Sequence, residues 1–266
     1  NEANTGATVN DGLVGATNIS QSLAQGQGFA AWSGNGLVNT TAFTVDMTGA
    51  PHVAGSPIAL PMSYTNTGVA TTDGWNMVCN PLASPILFSN ISRGANVEDF
   101  ITYFDPATGN NATYDISEGV GINGGTNVIQ SSQAFWLKAN GASVTTTVSE
   151  SAKVSGNSGG FFGSQIQTTD MVRLHITSGI NQFSDETVVL FNNGEPGADG
   201  HDVPKFIFAH PDAPQIATHG DGGEMIAINA YGPYGTDISI PVTIDVAISG
   251  EYTITAKITD HLGGDT

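Results

Sequence analysis

The chain has 266 residues, and six Lys and Arg against 24 Asp and Glu leave a formal net charge of −18. That field repels phosphate backbones and anionic headgroups, which excludes nucleic acid and bilayer surfaces as leading partners. A single cysteine, Cys79, permits no intrachain disulfide and no thiolate metal site, and no stretch approaches the ~20 apolar residues of a membrane-spanning helix.

Thirty-four glycines and twelve prolines punctuate short apolar runs, and the i, i+3, i+4 spacing of an amphipathic helix is missing. The expected fold is all-β: two tandem antiparallel β-sandwich domains, jelly-roll-like, over residues 1–154 and 166–266. The run Ser155-Gly156-Asn157-Ser158-Gly159-Gly160 has linker composition, so residues 155–165 are taken as the boundary. Asn1 opens no charged-then-apolar leader, and 262–266 is no natural stop after a strand pair. Both ends therefore look truncated, as in an internal piece of a longer exported protein.

In chain order, the first signal is a weak internal repeat. At an offset of about 106 residues, Gln27, Phe29, Val38, Thr40 and Thr41 match Gln133, Phe135, Val144, Thr146 and Thr147, and Leu23 matches Ile129. Residues 43–47 read as a strand. Next, Gly74-Trp75-Asn76-Met77-Val78-Cys79-Asn80-Pro81 predicts an aromatic-led strand with Trp75, Met77 and Cys79 on one side and Asn76 and Val78 on the other. Its prolines stop it. Cys79 is expected to behave as a small buried hydrophobe. Further strands are predicted at 101–104, 134–138, 171–177, 187–191 and 206–208. The clearest lies at 240–248, where Ile240, Val242, Ile244, Val246 and Ile248 alternate with other residues. Ser249-Gly250 then turns the chain, and Tyr252, Ile254, Ala256 and Ile258 repeat the alternation, which predicts a hairpin with one buried face.

Motifs of enzymes are present only in outline. Gly156-Asn157-Ser158-Gly159-Gly160 fits G-x-S-x-G, yet His52 is the one histidine upstream and no orienting carboxylate accompanies it. Gly119, Gly121 and Gly124 spell G-x-G-x-x-G without a following helix to hold a pyrophosphate, so this is a loop. Histidines 175, 201, 210, 219 and 261 are scattered, with no zinc spacing. No catalytic residue is assigned.

One constellation of hard oxygen donors stands out. Asn192-Asn193-Gly194-Glu195-Pro196-Gly197-Ala198-Asp199-Gly200-His201-Asp202 is a turn-rich acidic loop, and Asp221-Gly222-Gly223-Glu224 is a second. Glu195, Asp199 and Asp202 are the leading candidate ligands for Ca2+; solvated turns are the plainer alternative. Trp32, Trp75 and Trp136 are candidates to stack on sugar rings, although packing a sandwich core is the commoner duty of aromatics on alternating strands.

The stretch from Gly74 to Ile86 resembles the GWN-(L/M)-V-x-NP-x-x-SPI signature of large secreted and cell-surface proteins of Bacteroidetes-type bacteria, commonly exported by the type IX secretion system. Met171-Val172-Arg173-Leu174, then Ser184-Asp185-Glu186-Thr187-Val188, then Asp202-Val203-Pro204-Lys205 follow the order of the "LRL", "SDETV" and "D-x-x-K" strands of those proteins. The similarity covers most of residues 20–258. Cys79 departs from the usual Gly, and Val203-Pro204 from the common "AY". The resemblance implies an extracellular, non-catalytic structural or adhesive module: a stalk, adhesin segment or spacer before a C-terminal sorting domain. Its partners would be neighbouring modules of the same long chain, other cell-surface proteins or glycans. The alternative is a carbohydrate-binding module of a secreted polysaccharide-degrading enzyme.

Overall fold

A computed structural model of the chain describes residues 12–18, 20–31, 50, 55–154, 170–192, 194–220, 222–233 and 237–259. Trp32, the strand expected at 43–47, the repeat positions Val38, Thr40 and Thr41, His52, the linker at 155–165, Asp221 and His261 lie outside the described residues.

The fold is all-β and sandwich-like, with 40% strand and 3% helix, the latter confined to single turns of 3-10 helix such as Phe88–Asn90 and Glu150–Ala152. The first half carries β1 (Ile58–Ala59), β2 (Trp75–Cys79), β3 (Ile86–Leu87), β4 (Ser92–Arg93), β5 (Phe100–Asp105), β6 (Asn110–Asp115), β7 (Val120–Ile122), β8 (Val128–Ile129), β9 (Ala134–Lys138) and β10 (Thr146–Val148). The second carries β11 (Met171–Ser178), β12 (Ser184–Phe191), β13 (Val203–Pro204), β14 (Gln215–His219), β15 (Met225–Tyr231), β16 (Val242–Asp245) and β17 (Tyr252–Thr259).

Strand pairing respects the two halves. The first builds a five-stranded sheet in the order β2-β9-β5-β6-β7, with two small sheets, β1-β10-β4 and β3-β8. The second builds one seven-stranded sheet, β16-β14-β15-β12-β11-β17, with β13 added to β15. All these pairs are antiparallel except β12 with β15, which run parallel from Val188↔Ile228 to Phe191↔Tyr231.

The cores do not respect the halves. One core lies on one face of the five-stranded sheet, where Val78, Ile101, Tyr103, Phe135 and Leu137 meet Ile58, Leu60, Ile86, Phe88, Ile129 and Val148. The other face presents Trp75, Met77, Phe100, Val120, Ile122 and Trp136. These pack directly against Met171, Val188, Leu190, Val203, Phe206, Ile228 and Ala230 of the second half. The five-stranded sheet is therefore a middle layer. The opposite facing of Trp75 and Met77 against Val78 agrees with the alternation in the sequence.

Several expectations change. The hairpin predicted over 240–258 does not form: β16 pairs with β14 and β17 with β11, at opposite ends of the same sheet. Alternation marks a one-sided strand but does not say which neighbour it finds. Nor is the shared face buried, since Ile244 is 44% exposed and Ile258 72%. Residues 206–208 are not a strand either. The ladder breaks its register at Val203/Pro204, where proline has no N–H to donate. Phe206 and Phe208 instead lay their rings on Trp136 at centroid distances of 5.1 and 5.8 Å. Cys79 is half-buried rather than buried, and burial raises its thiol pKa. Part of the G-x-G-x-x-G stretch is itself a strand, β7, between two left-handed glycines, Gly119 and Gly124.

The repeat is visible where both copies are described. Gln27 donates its N–H to Ala24 O and accepts the Ala24 N–H on its side-chain oxygen; Gln133 does the same with Gln130. The two turns deliver their following residues to opposite sides of β2, where Gln27 and Phe135 both pair with Val78.

Candidate functional site: the seam between the halves

The residues that stood out in the sequence converge where the middle sheet meets the seven-stranded one. Gly74 has φ +83°, and a Cβ there would sit 1.8 Å from the Ala139 carbonyl oxygen, so only glycine fits. This close approach sets Trp75 facing the seam, 3% exposed. Its indole Nε1–H donates to Thr71 O at 3.0 Å, and its ring meets Phe206 at 4.2 Å and Phe100 at 5.8 Å. Asn76 faces the other way. Its amide nitrogen donates to Ser63 O and Gly74 O, and its oxygen accepts the Ser63 N–H, pinning the approach segment. Asn80 ties the two-proline turn to β8 by donating to Ser84 O, Ile129 O and Gln130 O.

Across the seam, adjacent acids on β12 divide the basic partners. Asp185 is fully buried; its carboxylate accepts Lys205 Nζ at 2.5 Å, Asn123 Nδ2 at 2.8 Å and the Ile216 N–H at 2.8 Å. Glu186 accepts Arg173 Nη1 at 2.8 Å and the Asn123 N–H at 2.9 Å, while Arg173 Nη1 also donates to Gly121 O. Asn123, held at φ +50°, thus bridges the first half to both acids. Asn110 donates to Ser184 O and Pro214 O, and Asn111 to Phe206 O and Phe208 O. The "LRL", "SDETV" and "D-x-x-K" residues are therefore two ion pairs and their hydrogen-bond shell. Removing one partner of the Lys205–Asp185 pair would leave a buried charge uncompensated.

The acidic loop closes one end of this seam. Glu118, after β6, accepts from His201 Nδ1 at 2.9 Å on one oxygen and from Asn192 Nδ2 on the other. The loop carboxylates cap backbone amides: Asp199 accepts the N–H of Glu195 and of His201, and Asp202 those of Asp199 and Ala230. Glu195 is exposed at the rim. Among the described residues, no group of three or more His, Cys, Asp or Glu side chains is placed to hold a metal ion. These capping bonds tie Asp199 and Asp202 into the loop backbone, while the Glu195 side chain stands apart from them at the rim. Saturating calcium is expected to leave the melting temperature of the protein unchanged, whereas a ligand of the native state alone would raise it; differential scanning calorimetry with calcium and with EGTA distinguishes the two.

Of the three candidate sugar-stacking tryptophans, Trp75 and Trp136 lie among the described residues. Trp75 and Trp136, each 3% exposed, have their rings covered by Phe206, with Phe100 and Phe208 beside them, so neither offers a face to a sugar ring. A cleft of about 200 Å³ is lined, among the described residues, by Gln27, Pro61, Met62, Ser63 and Met77, none of which is an acid or base near neutral pH.

Protonation couples to this seam. The hydrogen bond to Glu118 raises the His201 pKa above its usual value, with the charges of Glu118, Asp199 and Asp115 adding to it. Burial pushes Asp115 up to about 6, against bonds from the Ser117 hydroxyl and N–H. Burial also pushes Asp202 up to about 6, against its two backbone donors. All three act in one direction. The His201 contribution is fully present below its unfolded pKa and is lost as pH rises through the folded one. The two carboxyls bind protons more readily folded than unfolded, so stability rises as pH falls from above 6 toward 4. Asp73 lies outside that window: desolvation is overcome by bonds from Thr67, its pKa is lowered, and its contribution is lost only in stronger acid. The melting temperature is expected to be higher at about pH 5 than at about pH 8 by roughly 4 °C, and a fall instead would show that these groups do not govern the seam.

Sequence reasoning missed Asn110, Asn111, Asn123, Glu118 and His201 as seam residues. The available signal was Asn110-Asn111 inside a strand between aromatic runs, since polar residues there need partners from another layer.

Fold and seam together define an all-β, sandwich-like protein in which three layers share a middle sheet. No protein-family model, curated protein or solved structure matches the chain.

Proposed function

We propose that this chain is a non-catalytic structural or adhesive module of a large protein exported to the surface of a Bacteroidetes-type bacterium, serving as stalk, adhesin segment or spacer before a C-terminal sorting domain. The observation that carries this reading is the employment of the signature residues. Gly74, Trp75, Asn76, Asn80, Arg173, Asp185, Glu186 and Lys205 are engaged in holding the chain to itself. A segment tied down at so many positions suits a spacer under tension. The carbohydrate-binding alternative draws no support from Trp75 and Trp136, which are buried. Partners are then neighbouring modules or surface molecules reached by exposed edges and loops. Antibodies raised against the folded chain should label intact cells of the source organism as strongly as lysed ones; labelling confined to lysed cells would overturn the proposal.

A further inference from the structure

The two ends of the seven-stranded sheet are finished differently. At one end β16 is four residues long, follows Pro241 and carries Asp245, devices that blunt an edge. At the other end β17 runs for eight residues with no proline, no glycine and no bulge, in unbroken register with β11 from Met171↔Thr259 to Ser178↔Tyr252. Among the described residues β11 is its only pairing partner. Residues 253–258 are all exposed, Ile254 at 46% and Ile258 at 72%. Its one charged residue is Lys257, and Glu251 immediately precedes the strand.

We propose that this edge, unpaired among the described residues, pairs antiparallel with β17 of a second copy of the chain, so that one sheet runs continuously through a two-fold dimer. The sequence of the edge is complementary to its own reverse in a single register. With Ile254 opposite Ile254 of the second copy, Thr253 faces Thr255, Tyr252 faces Ala256, and Glu251 faces Lys257. Every pair then obeys cross-strand preference: apolar on apolar at the centre, threonine on threonine, a large ring against a small side chain, and opposite charges at the rim. The two-fold axis makes each ion pair occur twice. The acid also arrives where it is needed, because Lys257 stands opposite Arg173 within its own sheet, and Arg173 is already paired with Glu186. Shifting the register by two residues either way puts Glu251 opposite Thr255 or Thr259 and Lys257 opposite Ser249 or Thr253, and forfeits both ion pairs. Charge complementarity therefore selects one occupant and one alignment. This inference concerns the surface of the folded chain and does not depend on where the protein is exported.

Sedimentation equilibrium of the whole 266-residue chain at physiological ionic strength, where the general repulsion between two acidic copies is screened, tests it. A reversible monomer–dimer equilibrium is expected. Glu251→Lys or Lys257→Glu alone sets like charges opposite each other twice per dimer and should raise the dissociation constant about tenfold or more. The combined E251K/K257E variant restores both pairs in swapped order and should return the constant to within about threefold of the starting protein. Ile254→Lys places two lysines at the two-fold axis and should give monomer throughout. All three side chains are exposed, so an unchanged melting temperature of each variant, compared at a concentration where every protein is monomeric, separates lost pairing from lost folding. A chain that stays monomeric at every concentration overturns the proposal. So does a dimer that ignores the single reversals, or one that the double reversal fails to rescue.

Discussion

Lys205→Met is expected to destabilise the protein by about 3–5 kcal/mol, measured by urea or thermal unfolding. Lys205 is nearly buried and its ammonium lies 2.5 Å from Asp185, which has no exposure at all. Methionine keeps most of the volume and the alkyl stem, so the loss is electrostatic rather than steric. What remains is a carboxylate in the seam with only Asn123 and the Ile216 N–H to stabilise its charge. The companion variant gives the sign its meaning. D185N/K205M removes both charges and is expected to cost less than the single lysine substitution, because no uncompensated ion is left behind. If Lys205→Met costs less than about 1 kcal/mol, as a surface ion pair would, the pair is not the clamp described above.

Trp75→Ala is the second large effect, again about 3–5 kcal/mol from lost burial and an unfilled cavity. A further ~1 kcal/mol is expected from the broken aromatic contacts with Phe100 and Phe206. Its diagnostic value lies in where the damage appears. Trp75 sits on β2 in the first half, but its ring fills the core shared with Phe206 and Val203. Native-state hydrogen exchange should therefore accelerate in β9 of the first half and in β12 and β15 of the second, within one cooperative unfolding transition. Acceleration confined to the first half, or two separate transitions, would mean that each half folds alone.

The sequence revealed strands well where one face alternates, as at Trp75–Cys79, Ala134–Lys138 and Met171–Ser178. It revealed sheet order poorly. Nothing local distinguishes β16 and β17 as a hairpin from β16 and β17 as two remote edges, because the Ser249-Gly250 turn suits both and pairing depends on β14 and β11. The shared core was hidden for a related reason. Phe206 and Phe208 look like a strand by residue type, yet they act as an aromatic plug once Pro204 breaks the ladder. For the site, Arg173, Asp185, Glu186 and Lys205 were conspicuous as motif residues, but their pairing is a property of three dimensions. The tryptophans show the same limit, since a ring on an alternating strand is equally legible as a sugar platform and as core. The glutamine turns were the opposite case: Gln27 and Gln133 bond locally, three residues back, so a repeat in sequence became a repeat in structure.

A sheet whose central strands are covered on both faces changes what drift a sequence can tolerate. In an ordinary sandwich strand every second position is free to vary, and lineages diverge there first. Along the middle of β2 and β9 there is no such position, for Met77 and Trp136 press on one layer while Val78, Phe135 and Leu137 press on the other. A saturation mutagenesis profile of these strands should show contiguous blocks of intolerance instead of a comb. The compact run from Gly74 to Asn80 is then expected to form the longest such block, with nearly every position held by a contact of its own.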